Sequence, residues 1–103
     1  MWAQMITSRL KPGKEGNLVT LTAQLKAAER PSSGLVHATA TRDSKDPNRV
    51  IMFIVFESEE KAREREGDPR RQEELTEART TMMEIFEGAP DFTDLTVIDD
   101  WSL

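Results

Sequence analysis

Residues 35–62 constrain this chain more than any other stretch: LVHATATRD, then SKDPN, then RVIMFIVFE, then SEEKA. The run reads as strand, turn, strand and helix start without a break. Asp46-Pro47-Asn48 is a strong turn, because proline presets one backbone angle and asparagine tolerates the left-handed region. Residues 50–56 are the most apolar run in the chain, too short for a buried helix and rich in β-branched side chains. Ser58 then offers a helix N-cap where the charges begin. A hairpin feeding a helix is the middle of a βαββαβ unit.

The flanks supply the remaining elements. Residues 2–10 alternate as a strand, with Trp2, Gln4, Ile6, Ser8 and Leu10 on one face, and Pro12-Gly13 ends it. Leu18, Leu21, Leu25 and Ala28 recur at helical spacing and predict a first helix over residues 14–29, with Val19 and Ala23 widening its apolar stripe. On the second strand Leu35, His37, Thr39 and Thr41 are expected to share a face. Residues 58–66 are almost all charged and predict a weakly packed helix. A second main helix is expected over residues 69–87, with Leu75, Ala78, Met82, Ile85 and Phe86 as its buried stripe. Gly88-Ala89-Pro90 reads as its terminator, and residues 92–101 as the fourth strand.

The order βαββαβ predicts an α+β ferredoxin-like plait: one four-stranded antiparallel sheet with helices on one face, in a single domain spanning residues 1–103. The third strand is apolar on both sides, as an interior strand is when both sheet faces are covered. One short chain cannot supply helices for both faces. A second copy packed sheet to sheet, a homodimer, is the expected cover.

The charge balance excludes several function classes. Net charge is −5, and arginines such as Arg63 and Arg65 alternate with Glu64 and Glu66, so no basic stripe for nucleic acid is present. There is no cysteine, hence no disulfide, thiolate metal site or cysteine nucleophile, which fits a reducing cytoplasm. The N-terminus has no signal-peptide pattern, and no run is long enough to cross a bilayer. Asp91, Asp94, Asp99 and Asp100 crowd the last segment, but alternation separates Asp99 from Asp100 and no metal site is expected.

The run RDSKDPNRVIMFIVFESEEKA, residues 42–62, resembles the antibiotic biosynthesis monooxygenase family of dimeric α/β-barrel proteins. Members commonly carry an R-D-x-x-D-P-N-R-like turn, then an apolar strand ending in W-E followed by an S-x-E-A-like helix start; here Phe56-Glu57-Ser58-Glu59-Glu60 stands in place of that strand end and helix start. Where many members continue with helix histidines, this chain has Arg65 and Pro69-Arg70-Arg71. The resemblance implies a homodimer with a ligand pocket between each sheet and its helices. It also implies, for some members, oxidation of phenolic or anthrone-type aromatics by molecular oxygen without a cofactor. Haem-degrading relatives would place an axial histidine near residue 75 and a tryptophan near residue 65; this chain has Leu75 and Arg65, and no tyrosine.

Within that frame, His37 is the only histidine, the side-chain type whose unperturbed pKa lies near neutrality, and is the candidate general base; a lone histidine on a half-exposed strand or at the dimer seam is the alternative. Gln4 is the candidate hydrogen-bonding partner of a substrate oxygen, since its amide donates and accepts. Trp2, Phe53, Leu75, Met82 and Phe86 are the candidate pocket walls, and residues 58–68 the candidate lid. No cofactor is expected. A non-catalytic binding or accessory dimer of the same fold is the rival reading.

Overall fold

A computed structural model describes all 103 residues. The strands are β1 (Trp2–Leu10), β2 (Leu35–Arg42), β3 (Arg49–Phe56) and β4 (Phe86–Thr96). The helices are α1 (Leu18–Ala27), α2 (Glu59–Gly67), α3 (Pro69–Glu74) and α4 (Thr76–Ile85). The sheet runs β2-β3-β1-β4 with every neighbouring pair antiparallel, which is the expected ferredoxin-like plait. No helix is long and apolar enough to cross a membrane.

The helices cover one face through two separate clusters. At one end, Leu21 of α1 and Ala78 and Ile85 of α4 pack on Leu10 and Val50. At the other, Ala62 of α2 packs with Trp2, Ile54 and Phe56. Even-numbered residues of β1 and β3 therefore face the helices, and odd-numbered ones face away. The far face carries Met5, Ile51 and Phe53 in this single chain with no layer over them, and Phe53 at its centre is 37% exposed.

Local chemistry explains the ends of the elements. The Ser58 hydroxyl caps α2 by accepting from Lys61 N–H at 3.1 Å, and the Asp68 carboxylate caps α3 from Arg70 N–H at 2.9 Å, with Pro69 in the first turn. Gly34 has φ +84°, and a Cβ there would meet Lys61 Cβ at 2.5 Å, so glycine lets the start of β2 pass close under α2.

Four expectations are corrected. The first helix begins as a 3-10 turn, Glu15–Asn17, and becomes α-helical only at Leu18; Val19 lies outside its buried stripe and is exposed. The second main helix is divided into two at Leu75, although Leu75 N–H still donates to Arg71 O and Arg79 N–H to Leu75 O, both at 2.9 Å. The fourth strand begins at Phe86 rather than residue 92, running through Gly88-Ala89-Pro90. It is an edge strand, where proline's missing donor is tolerated, and Gly88 at φ +66° lies within a bulge opposite the Thr7–Arg9 stretch. On β2 the register shifts between Leu35 and His37, so Leu35 pairs with Phe56 on the helix side while His37, Thr39 and Thr41 line up with Val55, Phe53 and Ile51 on the far face.

Candidate functional site

Directly paired residues of antiparallel strands share a face, so the register lays the helix-side surface out in rows. Leu35, Phe56, Trp2 and Thr96 form the row beneath α2. Ala38, Ile54, Gln4 and Asp94 form the next. Ala40, Met52, Ile6 and Phe92 form the third, which falls between the two helix-covered clusters. This third row is wholly apolar and poorly covered: Ile6 and Met52 are half-buried, and Phe92 is 60% exposed.

Beside that apolar strip stands a polar pair. Gln4 is 7% exposed, and its Nε2 donates to Asp94 Oδ1 at 3.0 Å. A carboxylate only accepts, so the NH2 side of the amide must face Asp94. That leaves the Gln4 carbonyl and one N–H without a protein partner. The other Asp94 oxygen accepts from Arg63 Nη2 at 3.0 Å, and Arg63 also pairs with Glu59 and Glu66 on its own helix. The hydrogen bond to Asp94, ahead of that to Glu66, holds the Arg63 guanidinium above its ordinary pKa. Arg63 Cζ lies 5.1 Å from the Trp2 ring centroid, a cation–π contact that ties α2 to the sheet; Trp2 in turn stands 5.9 Å from the Phe56 ring.

Of the expected site residues, Trp2 and Gln4 stand on adjacent rows of the helix-side face, apart from the other five. His37 and Phe53 stand on the opposite face of the sheet, so neither shares a pocket with Gln4 inside one subunit. The bulge in β2 sets the side of His37; simple alternation within β3 sets that of Phe53. Leu75, Met82 and Phe86 pack in the α1/α4 cluster. Phe86 pairs with Leu10, six residues along β1 from Gln4, about 20 Å at ~3.3 Å per residue. The pocket wall drawn from helical periodicity is thus core. Asp94 and Arg63, which complete the polar end, were hidden among many similar charges. Asp94 sits an even number of residues from Phe92 and Thr96, the one signal that it shares their face. No group of three or more histidine, aspartate or glutamate side chains converges to hold a metal ion.

The fold and this site define a class of small plait proteins with an apolar strip and a polar anchor on the helix side of the sheet. The family model for antibiotic biosynthesis monooxygenase matches residues 1–73, and the chain belongs to that family. Comparison with curated protein sequences gives no match. Among solved structures, the chain is similar to SnoaB, a cofactor-independent oxygenase from Streptomyces nogalater, at TM-score 0.75 and 13% identity over 96% of this chain and 94% of that one. It is similar to Rv0793 from Mycobacterium tuberculosis at TM-score 0.73 and 18% identity, over 98% of each chain. A conserved protein from Methanosarcina mazei aligns at TM-score 0.73 and 11% identity, over 92% of this chain and 91% of that one. At these identities the likeness is one of fold.

Proposed function

We propose that the protein is a cofactor-independent monooxygenase acting on an apolar aromatic of the phenol, anthrone or quinone type. The observation that carries this reading is the buried Gln4 amide, oriented by Asp94 and left with a free carbonyl and N–H beside the half-open row of Ile6, Met52 and Phe92. A flat apolar ring gains by covering that row. Its oxygenated edge then meets Gln4, whose N–H favours the enolate or phenolate form.

Asp94 is the only titratable side chain in these three rows and is the proton acceptor in this reading. For a substrate methylene, the proton leaves to Asp94 and the carbanion adds oxygen to give a peroxide. Return of the proton and loss of water leave the ketone, so that one CH2 and one O2 become one C=O and one H2O. His37 takes no part in this chemistry within one subunit.

The protein acts as a cytoplasmic homodimer in this reading. The apolar far face, centred on Phe53 and flanked by Met5 and Ile51, is the surface a second copy covers. One observation favours the rival reading, a non-catalytic binding or accessory dimer: the chain's only histidine lies across the sheet from Gln4. A tryptophan-fluorescence titration against anthrones, naphthols, quinones and haemin tests the proposal, because Trp2 sits one row from the polar anchor. Saturable quenching by an oxygenated aromatic supports it; no saturable response across the panel removes it.

A further inference from the structure

A second recess, unlike the apolar strip in every respect, opens where the end of α1, the loop after it, α2 and α3 meet. It has a volume of about 150 Å³ and one apolar residue among ten in its lining. That is about five times the ~30 Å³ share of a water molecule, room for a small ion or a headgroup but not for a polycyclic aromatic. In a chain of net charge −5, four arginines stand against three carboxylates in this lining.

Two of those arginines have unspent donors. Arg30 pairs with Glu74 through its terminal nitrogen, yet its Nε is buried with no hydrogen-bond partner. A buried donor without an acceptor is costly, so such atoms are few in native proteins. Arg71 is buried, and only its Nη1 has protein acceptors, Ala28 O at 3.3 Å and Glu29 Oε1 at 3.4 Å, both long. Its Nε and Nη2 have none. Ser32, exposed on the same lining, offers its hydroxyl beside them. Glu29 does not meet this demand, because Arg65 already holds it in a two-pronged bond at 2.6 and 3.1 Å. Burial and the neighbouring Arg65 charge also depress the Arg71 pKa, a strain that an anion in the recess relieves.

We infer that this recess is a binding site for a small tetrahedral oxyanion, inorganic phosphate or the terminal phosphate of a monoester, held by the Arg30 guanidinium, the free Arg71 donors and the Ser32 hydroxyl. Donors from three separate side chains border a space of about 150 Å³, and the acceptor oxygens of a compact tetrahedral phosphate, directed away from one centre, can meet several of them at once. The site does not depend on the aromatic-oxidation reading and stands or falls separately from it.

The test is thermal unfolding of the full chain in rising inorganic phosphate, with sodium chloride at matched ionic strength as reference and glycerol 3-phosphate as the ester probe. A saturable rise in Tm with phosphate, absent in chloride, is the expected result. Arg30→Gln and Ser32→Ala are each expected to weaken the apparent affinity at least tenfold. Arg30 is partly exposed, so its variant remains informative if an Arg71 variant does not fold. Tighter binding of glycerol 3-phosphate than of phosphate assigns the site to esters, and the reverse assigns it to the free ion. A rise equal to that in chloride, no saturation, or an undiminished rise in Arg30→Gln overturns the inference.

Discussion

Gln4 and Asp94, 90 residues apart in the chain, are direct cross-strand partners, and the amide donates to the carboxylate at 3.0 Å. The pairing fixes which way the amide points and so leaves its remaining donor and acceptor for a ligand. Gln4→Leu removes one such hydrogen bond, about 0.5–1.5 kcal/mol. Affinity for an oxygenated aromatic is expected to fall roughly 2- to 10-fold in a tryptophan-fluorescence titration. His37→Ala, on the opposite face, is expected to leave that affinity within about twofold. The reverse pattern would place the ligand on the far side of the sheet.

The far face makes its own prediction. Phe53 is exposed in the single chain, so Phe53→Glu is expected to fold. A carboxylate at the centre of an apolar interface has no partner and cannot be left desolvated without large cost. Sedimentation velocity is expected to show the dimer weakened about 100-fold or more, roughly 2.7 kcal/mol. A wild-type chain that is monomeric at high concentration contradicts the proposed assembly outright.

Acid stability follows from Glu29. Burial raises its pKa, but hydrogen bonds from Arg65 and Ser33 and the charges of Arg65 and Arg71 outweigh this and hold it below the ordinary glutamate value of 4.5. A folded-state pKa lower than the unfolded one means the stabilisation is full above about 4.5 and disappears as pH falls through the folded value. Denaturation curves taken from neutral pH downward are expected to show wild type losing its advantage over Glu29→Gln below that point. A gap that stays constant into strong acid would show that the loss was one of shape rather than charge.

Gly34→Ala tests the close passage of β2 under α2. The substitution forces an unfavourable positive φ and sets a methyl against Lys61 Cβ. A loss of roughly 1–3 kcal/mol in urea denaturation is expected. A change under about 0.5 kcal/mol would mean that α2 is not seated as described.

The element order was legible because its signals are local. The Asp46-Pro47-Asn48 turn, the apolar run after it and the Ser58 cap each act within a few residues. The last strand was misplaced at its start because Gly88 and Pro90 normally interrupt structure. Only the knowledge that β4 is an edge strand, bonded to β1 alone, makes them compatible with it. The candidate site was less legible. One register shift beside Val36 moved Leu35 to the face opposite His37, and alternation alone had put them together. Leu75, Met82 and Phe86 have the periodicity of a buried stripe, and periodicity does not distinguish a core from a pocket wall. Asp94 became meaningful only once pairing placed it against Gln4.

The most direct measurement is oxygen uptake by the purified, chelator-treated protein with an anthrone, comparing wild type with Gln4→Leu. The account predicts protein-dependent consumption of one O2 per substrate oxidised, indifferent to chelator and slowed about tenfold by the substitution. Saturable binding of the anthrone with no protein-dependent oxygen uptake would contradict it and leave a binding protein in its place.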